Sequence, residues 1–108
     1  KAMIDLREKD KVILCQLAQE IFPSGTEIWA YGSRIKGTNH DASDLDLVVH
    51  LAADSDAERD FFEQLSNFKE ALQESTIPIF VQVFAWSQIP ESFKANIQQE
   101  YKVLYSVL

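Results

Sequence analysis

Gly32-Ser33, followed after ten residues by Asp44-Leu45-Asp46, joins a turn able to cradle a phosphate to two carboxylates on one strand. A glycine at such a turn lets backbone approach a phosphate closely, and the amides that open the next helix favour anions. Ser33 adds a hydroxyl there, and Arg34 and Lys36 add positive charge directed either toward a phosphate or into water. In Asp44-Leu45-Asp46-Leu47-Val48-Val49 the residues alternate, so both acids share one face while Leu45, Leu47 and Val49 share the other. Their Cα atoms are then roughly 6.5 Å apart, close enough for both side chains to converge on one Mg2+ or Mn2+, or on two ions about 3.5 to 4 Å apart. A hard cation of this kind takes oxygen ligands, including those of a substrate triphosphate. Without it the carboxylates repel, and one tends to keep a proton. The chemistry implied is displacement at the phosphorus of a metal-bound triphosphate.

The elements needed to position these residues are legible on both sides. Glu27-Ile28-Trp29-Ala30-Tyr31 reads as a buried strand that turns at Gly32. Residues 34 to 43 leave room for about two helical turns and a tight return, with Gly37 stopping the helix and Thr38-Asn39-His40-Asp41 forming an exposed turn. Upstream, Ile4 to Phe22 carries the pattern of an amphipathic helix ending near Pro23-Ser24-Gly25. Downstream, Asp54 or Ser55 caps a long helix with an apolar stripe of Phe61, Phe62, Leu65, Phe68, Ala71 and Leu72. Ile79 to Trp86 reads as a later strand, with Pro78 suited to its first position. A helix start at Pro90-Glu91-Ser92-Phe93 precedes Tyr101 to Leu108, an edge strand with an apolar end. Trp29 and Trp86 read as strand packing, and His50 shares the face of the two acids by parity.

Gly32-Ser33-x10-Asp44-x-Asp46, within Tyr31-Gly32-Ser33-Arg34 to Ser43-Asp44-Leu45-Asp46-Leu47, resembles the minimal nucleotidyltransferases of the DNA polymerase beta superfamily. The resemblance spans nearly the whole chain. It implies an α+β nucleotidyltransferase fold, a small mixed β-sheet flanked by helices, in a single minimal domain over residues 1–108. It also implies Gly32, Ser33, Arg34 and Lys36 at the nucleotide, and Asp44 and Asp46 as the catalytic metal ligands for ATP or another NTP. One departure stands out. The family's later strand usually carries a third acid, in a pattern like Val-Asp-Val-Val-Asp-Trp, where this chain has Val81-Gln82-Val83-Phe84-Ala85-Trp86. Gln82 takes the third metal-binding position; its carbonyl can ligate a metal, but it brings no charge and cannot serve as a general base. Glu74 and Asp41 are the candidate substitutes, and neither fits the strand position. Two readings stay open: an enzyme that moves a nucleoside monophosphate to a protein hydroxyl, and a non-catalytic module that masks a partner. In this family the partner implied is an all-helical HEPN-domain toxin, and the nucleotide transferred is AMP.

Composition narrows the alternatives. A chain of 108 residues forms one core but leaves no room for an added substrate-binding domain. The formal charge of −7 argues against strong direct nucleic-acid binding, which requires basic surface. Cys15, the single cysteine, excludes an internal disulfide, and its apolar neighbours predict a buried thiol. No apolar run approaches the ~18 residues of a membrane span, and no secretory signal is evident, so the expected location is the cytoplasm. The start on Lys1 instead of methionine reads as a trimmed end.

Overall fold

The computed structural model describes residues 6–37, 43–51 and 55–106. Helix α1 (Glu8–Ile21) leads into strand β1 (Glu27–Tyr31), the short helix α2 (Ser33–Lys36) and strand β2 (Leu45–His50). Helix α3 (Ser55–Glu74), strand β3 (Val81–Ala85), a 3-10 turn (Trp86–Gln88), helix α4 (Glu91–Gln99) and strand β4 (Lys102–Ser106) follow. The strands form one mixed sheet in the order β3-β2-β1-β4, in which β2 and β3 run parallel and the other pairs antiparallel.

Period-two alternation gives the sheet two faces of different character. Ile28 and Ala30, Leu45, Leu47 and Val49, and Val81, Val83 and Ala85 all point to the first face, where α1 and α3 cover them. Phe61, Leu65, Phe68 and Leu72 recur at helical spacing along α3 and are buried there, with Phe22 edge-on to Phe68 at 5.1 Å. Each such side chain contributes about 1.5 to 3 kcal/mol by leaving water. Phe62, part of the sequence stripe, instead lies 51% exposed, because the buried arc of α3 is narrower than the apolar run. On α1 the buried stripe includes an acid, Asp10. Arg7 holds it in a two-pronged fork at 2.8 and 3.1 Å, and charge-assisted bonds of that kind offset the cost of burying the carboxylate.

Several boundaries differ from the sequence reading. Helix α2 is four residues long, a single turn, because Gly37 adopts the left-handed conformation at φ +79° and ends it. The third strand starts at Val81, so Pro78 precedes it, although the Phe80 carbonyl already accepts the Leu45 amide at 3.0 Å. Cys15 is half-buried, its thiol 3.7 Å from the Leu104 carbonyl, and burial pushes its pKa up. Asp54, His40 and Asp41 lie outside the described residues.

The second face is built in cross-strand rows. Glu27 faces His50, Trp29 faces Val48 beside Phe84, and Tyr31 faces Asp46 beside Gln82. Tyr31, Val48, Ile89 and Ile97 form a small second core under the 3-10 turn and α4. His50 therefore shares a face with Asp46 but lies four residues along the strand, about 13 Å away at the usual rise. It belongs to an aromatic cluster, with its ring 3.8 Å from Trp29 and 4.4 Å from Trp86. Tyr101 stacks on the Trp29 ring at 4.0 Å, and Lys94 lies 5.6 Å over Trp86. Both tryptophans are packing residues, Trp29 on β1 and Trp86 at the start of the 3-10 turn, one residue past the end of β3.

This cluster has a measurable pH signature. Burial pushes the His50 pKa below its ordinary 6.5, against the smaller opposing pull of Glu27, and its Nε2 is buried without a hydrogen-bond partner. The unfolded chain then takes up the proton first as pH falls below about 6.5, so His50 removes stability from there down through its folded-state pKa and nothing further below it. Urea titrations at pH 7.5 and 5.5 are expected to show a larger loss on acidification for the natural chain than for His50→Phe. Equal losses would place the imidazole in water.

Candidate active site

The site is assembled at one end of the second face, where β1 ends and β2 begins. Tyr31 is the last residue of β1, and the chain reverses direction at Gly32 with φ +87° into α2. Both Ile35 and Lys36 donate to the Gly32 carbonyl, at 3.0 and 3.1 Å, which leaves the Ser33 amide at the first helical position, where the helix itself provides no acceptor. Lys36 is exposed at the end of this turn. Arg34 is buried, and its Nε donates to the Ser43 carbonyl at 3.1 Å. That bond ties the start of α2 to the residue just before Asp44, so Arg34 is directed inward instead of into water.

Asp44 precedes β2 and is exposed; Asp46 lies within the strand and is half-buried. The register sets Asp46 directly between Tyr31 of β1 and Gln82 of β3. Facing side chains in such a row start about 4.5 to 5.5 Å apart at Cβ. Gln82 thus stands beside Asp46, at the place the alternation of β3 assigns it. Among the described residues, no group of three or more His, Cys, Asp or Glu is placed to hold a metal ion. Glu74 ends α3, the helix that covers the opposite sheet face, and offers no substitute.

Gly32 is required for a reason its sequence context did not reveal. A Cβ at this position would collide with Asp46 Oδ2 and lie 3.3 Å from its Cγ. The glycine makes space for the carboxylate in addition to allowing close approach of a ligand. Gly32→Ala must both adopt a disfavoured positive φ and displace Asp46. It is expected to cost about 1 to 3 kcal/mol of stability, read by chemical denaturation; an unchanged midpoint would mean the turn has room to give.

The two acids affect each other electrostatically. Burial first, then the charge of Asp44, push the Asp46 carboxyl above its ordinary value. Tyr31 is pushed up too, chiefly by burial and then by Asp46, so its phenol stays protonated next to that carboxylate. Carboxylate and amide oxygens are hard donors, of the kind that suits magnesium or manganese.

Sequence reasoning missed the wall of this site contributed by α4. Phe93 packs edge-on against Tyr31 at 5.6 Å, and Asn96 and Glu100 follow on the same side of the helix. The signal was present as the spacing 93, 96, 97, 100 in a helix that immediately follows the later strand.

Comparisons with known proteins agree with this geometry. The family model described as polymerase beta nucleotidyltransferase matches residues 18–107. A probable protein adenylyltransferase MntA from Haemophilus influenzae (strain Rd KW20) is 33% identical over 103 residues, covering 95% of this chain and 85% of that protein. Among solved structures, a toxin-antitoxin crystallised with AMP-PNP superposes with a TM-score of 0.61 at 22% identity, covering 94% of this chain and 75% of that one; it shares the fold. The strand order, the Gly32-Ser33 turn and both Asp44 and Asp46 thus sit inside a match that covers most of the molecule, and the chain belongs to the polymerase beta nucleotidyltransferase family.

Proposed function

We propose that the protein binds ATP as its magnesium complex and transfers AMP to a protein hydroxyl on a helical partner, releasing pyrophosphate. The observation that carries this reading is the row Tyr31–Asp46–Gln82, with Asp46 seated against the Gly32 turn and close enough to Asp44 to feel its charge. Support for the adenylyl group and the protein acceptor comes from the MntA relative, and support for a toxin partner from the toxin-antitoxin fold neighbour. A HEPN-type toxin is the partner that the family resemblance suggests.

In this reading Asp44 and Asp46 hold the cation, with the Gln82 carbonyl as a neutral third donor. Bound there, the cation would neutralise phosphate charge and favour in-line attack. The Ser33 amide and hydroxyl orient the phosphate chain, and Lys36 supplies positive charge at the rim. Arg34 contributes indirectly, by tethering Ser43 and hence the approach to Asp44. Positioning and charge neutralisation supply most of the acceleration in such displacements, and this site offers both. It lacks a carboxylate base at position 82 to take the acceptor's proton.

That substitution supports a second reading, in which the protein binds nucleotide without turnover and masks its partner. Incubation with ATP labelled at the α-phosphate, Mg2+ and the protein encoded by the adjacent gene separates the two. Label on the partner is the expected result; tight nucleotide binding with no transfer in Mg2+ or Mn2+ would favour the masking module. The absence of any divalent-dependent heat with every NTP would end both nucleotide readings.

A further inference from the structure

The turn that seats Asp46 also forms one wall of a cleft of about 280 Å³ between β1 and α4. Tyr31, Phe93 and Ile97 give it an apolar floor, and the two rings meet edge to face at 5.6 Å. Its rim is polar: Lys36 on the α2 side, and Asn96, Gln99 and Glu100 on α4. Farther along this sheet face the space is filled by Val48 and Ile89, with Trp29, Phe84 and Trp86 packed against them. Among the described residues, the cleft is an open region of this face that adjoins Gly32.

We infer that this cleft receives the nucleoside part of the nucleotide, the base lying on the Tyr31–Phe93–Ile97 floor while Asn96 and Gln99 read its edge. This rests on the nucleotide-binding reading above and extends it to the residues that choose the base. The cleft lies just under the roughly 300 Å³ at which ligand pockets begin, a size for the nucleoside alone that leaves the triphosphate to the acids next door. The chemistry fits as well. A nucleobase is a flat ring with apolar faces and an edge of mixed donors and acceptors. Carboxamides carry both kinds of group, whereas an ionised carboxylate only accepts, which suits Glu100 to a ribose hydroxyl or an exocyclic amine. Asn96 and Gln99 are exposed on α4, so the second core does not need them.

Calorimetry with magnesium tripolyphosphate and with the magnesium complexes of ATP, GTP, CTP and UTP tests the assignment. The natural protein is expected to bind one NTP on the order of tenfold or more tighter than tripolyphosphate, the scale of one or two well-placed hydrogen bonds plus ring contact. The Asn96→Ala/Gln99→Ala variant is expected to lose that advantage and the discrimination among bases, while its tripolyphosphate affinity and melting temperature stay as in the natural chain. Equal affinity of the natural protein for tripolyphosphate and all four NTPs would overturn the cleft assignment and leave the phosphate site standing. So would a variant that keeps the natural base preference. Binding of none of these probes would remove the phosphate site and the cleft together.

Discussion

Asp46→Asn is expected to abolish magnesium-dependent nucleotide binding and, at the same time, to raise the melting temperature of the free protein. The two effects share one cause. In the metal-free fold the Asp46 carboxyl is raised above its ordinary 3.8 by burial and by Asp44, so folding disfavours its charge. The folded state then holds more protons than the unfolded chain above pH 3.8, and stability falls as pH rises through the folded-state value. The deficit persists at neutral pH, and asparagine removes it without changing side-chain shape. Asp46 is half-exposed, so solvent screening keeps this gain small, under about 1 kcal/mol. The binding loss should be larger: neighbours that merely orient a metal ligand cost about 10- to 100-fold, so removal of the ligand itself should cost at least about 100-fold. Melting curves in EDTA at pH 7 and calorimetry with Mg-ATP read the two effects separately. Retained affinity in the variant would remove Asp46 from the cation site. A lowered melting temperature would show that its carboxylate is needed for packing.

Gln82→Asp should move in the opposite direction on both counts. Gln82 is the β3 residue in register with Asp46, so a carboxylate there enters the same cross-strand row. In the free protein it places like charges side by side and is expected to lower stability by about 0.2 to 1 kcal/mol, with Mg-ATP restoring the loss. It also supplies the charge and the proton acceptor that the natural site lacks. General-base assistance contributes about 10²- to 10⁴-fold, so transfer of label from α-phosphate-labelled ATP to the partner should rise at least about 100-fold. No gain, with nucleotide affinity intact, would mean that the acceptor is deprotonated by a group elsewhere, on this chain or on the partner. That result would also make the glutamine a tolerated feature of a working enzyme.

The parts of this molecule that were legible in advance are those in which local periodicity decides the outcome. Alternation along β2 set Asp46 on the face opposite Leu45, Leu47 and Val49, and the same parity put Gln82 and Phe84 on the face of Asp46. Helices α1 and α3 follow from spacing alone. The chain does not spell out what depends on tertiary placement. The order β3-β2-β1-β4 depends on pairings between distant segments, and the stacking of Trp29, His50, Trp86 and Tyr101 joins side chains from four parts of the chain. Arg34 read as charge for a phosphate or for water because nothing local signals that it bonds to a backbone carbonyl nine residues on. The length of α2 was overestimated because Gly37 stops it after one turn, whereas the number of residues up to Asp44 would have accommodated two.

Strand β2 is flanked on both sides, by β1 and β3, while β4 and β3 form the sheet margins. Amides of Leu45 to Val49 should therefore exchange with deuterium only through near-global opening, and those of β4 through cheaper local excursions. Asp46 would stay registered while the periphery breathes. Thermal motion would then modulate how readily a ligand enters and leaves, with little effect on where the Asp46 carboxylate stands.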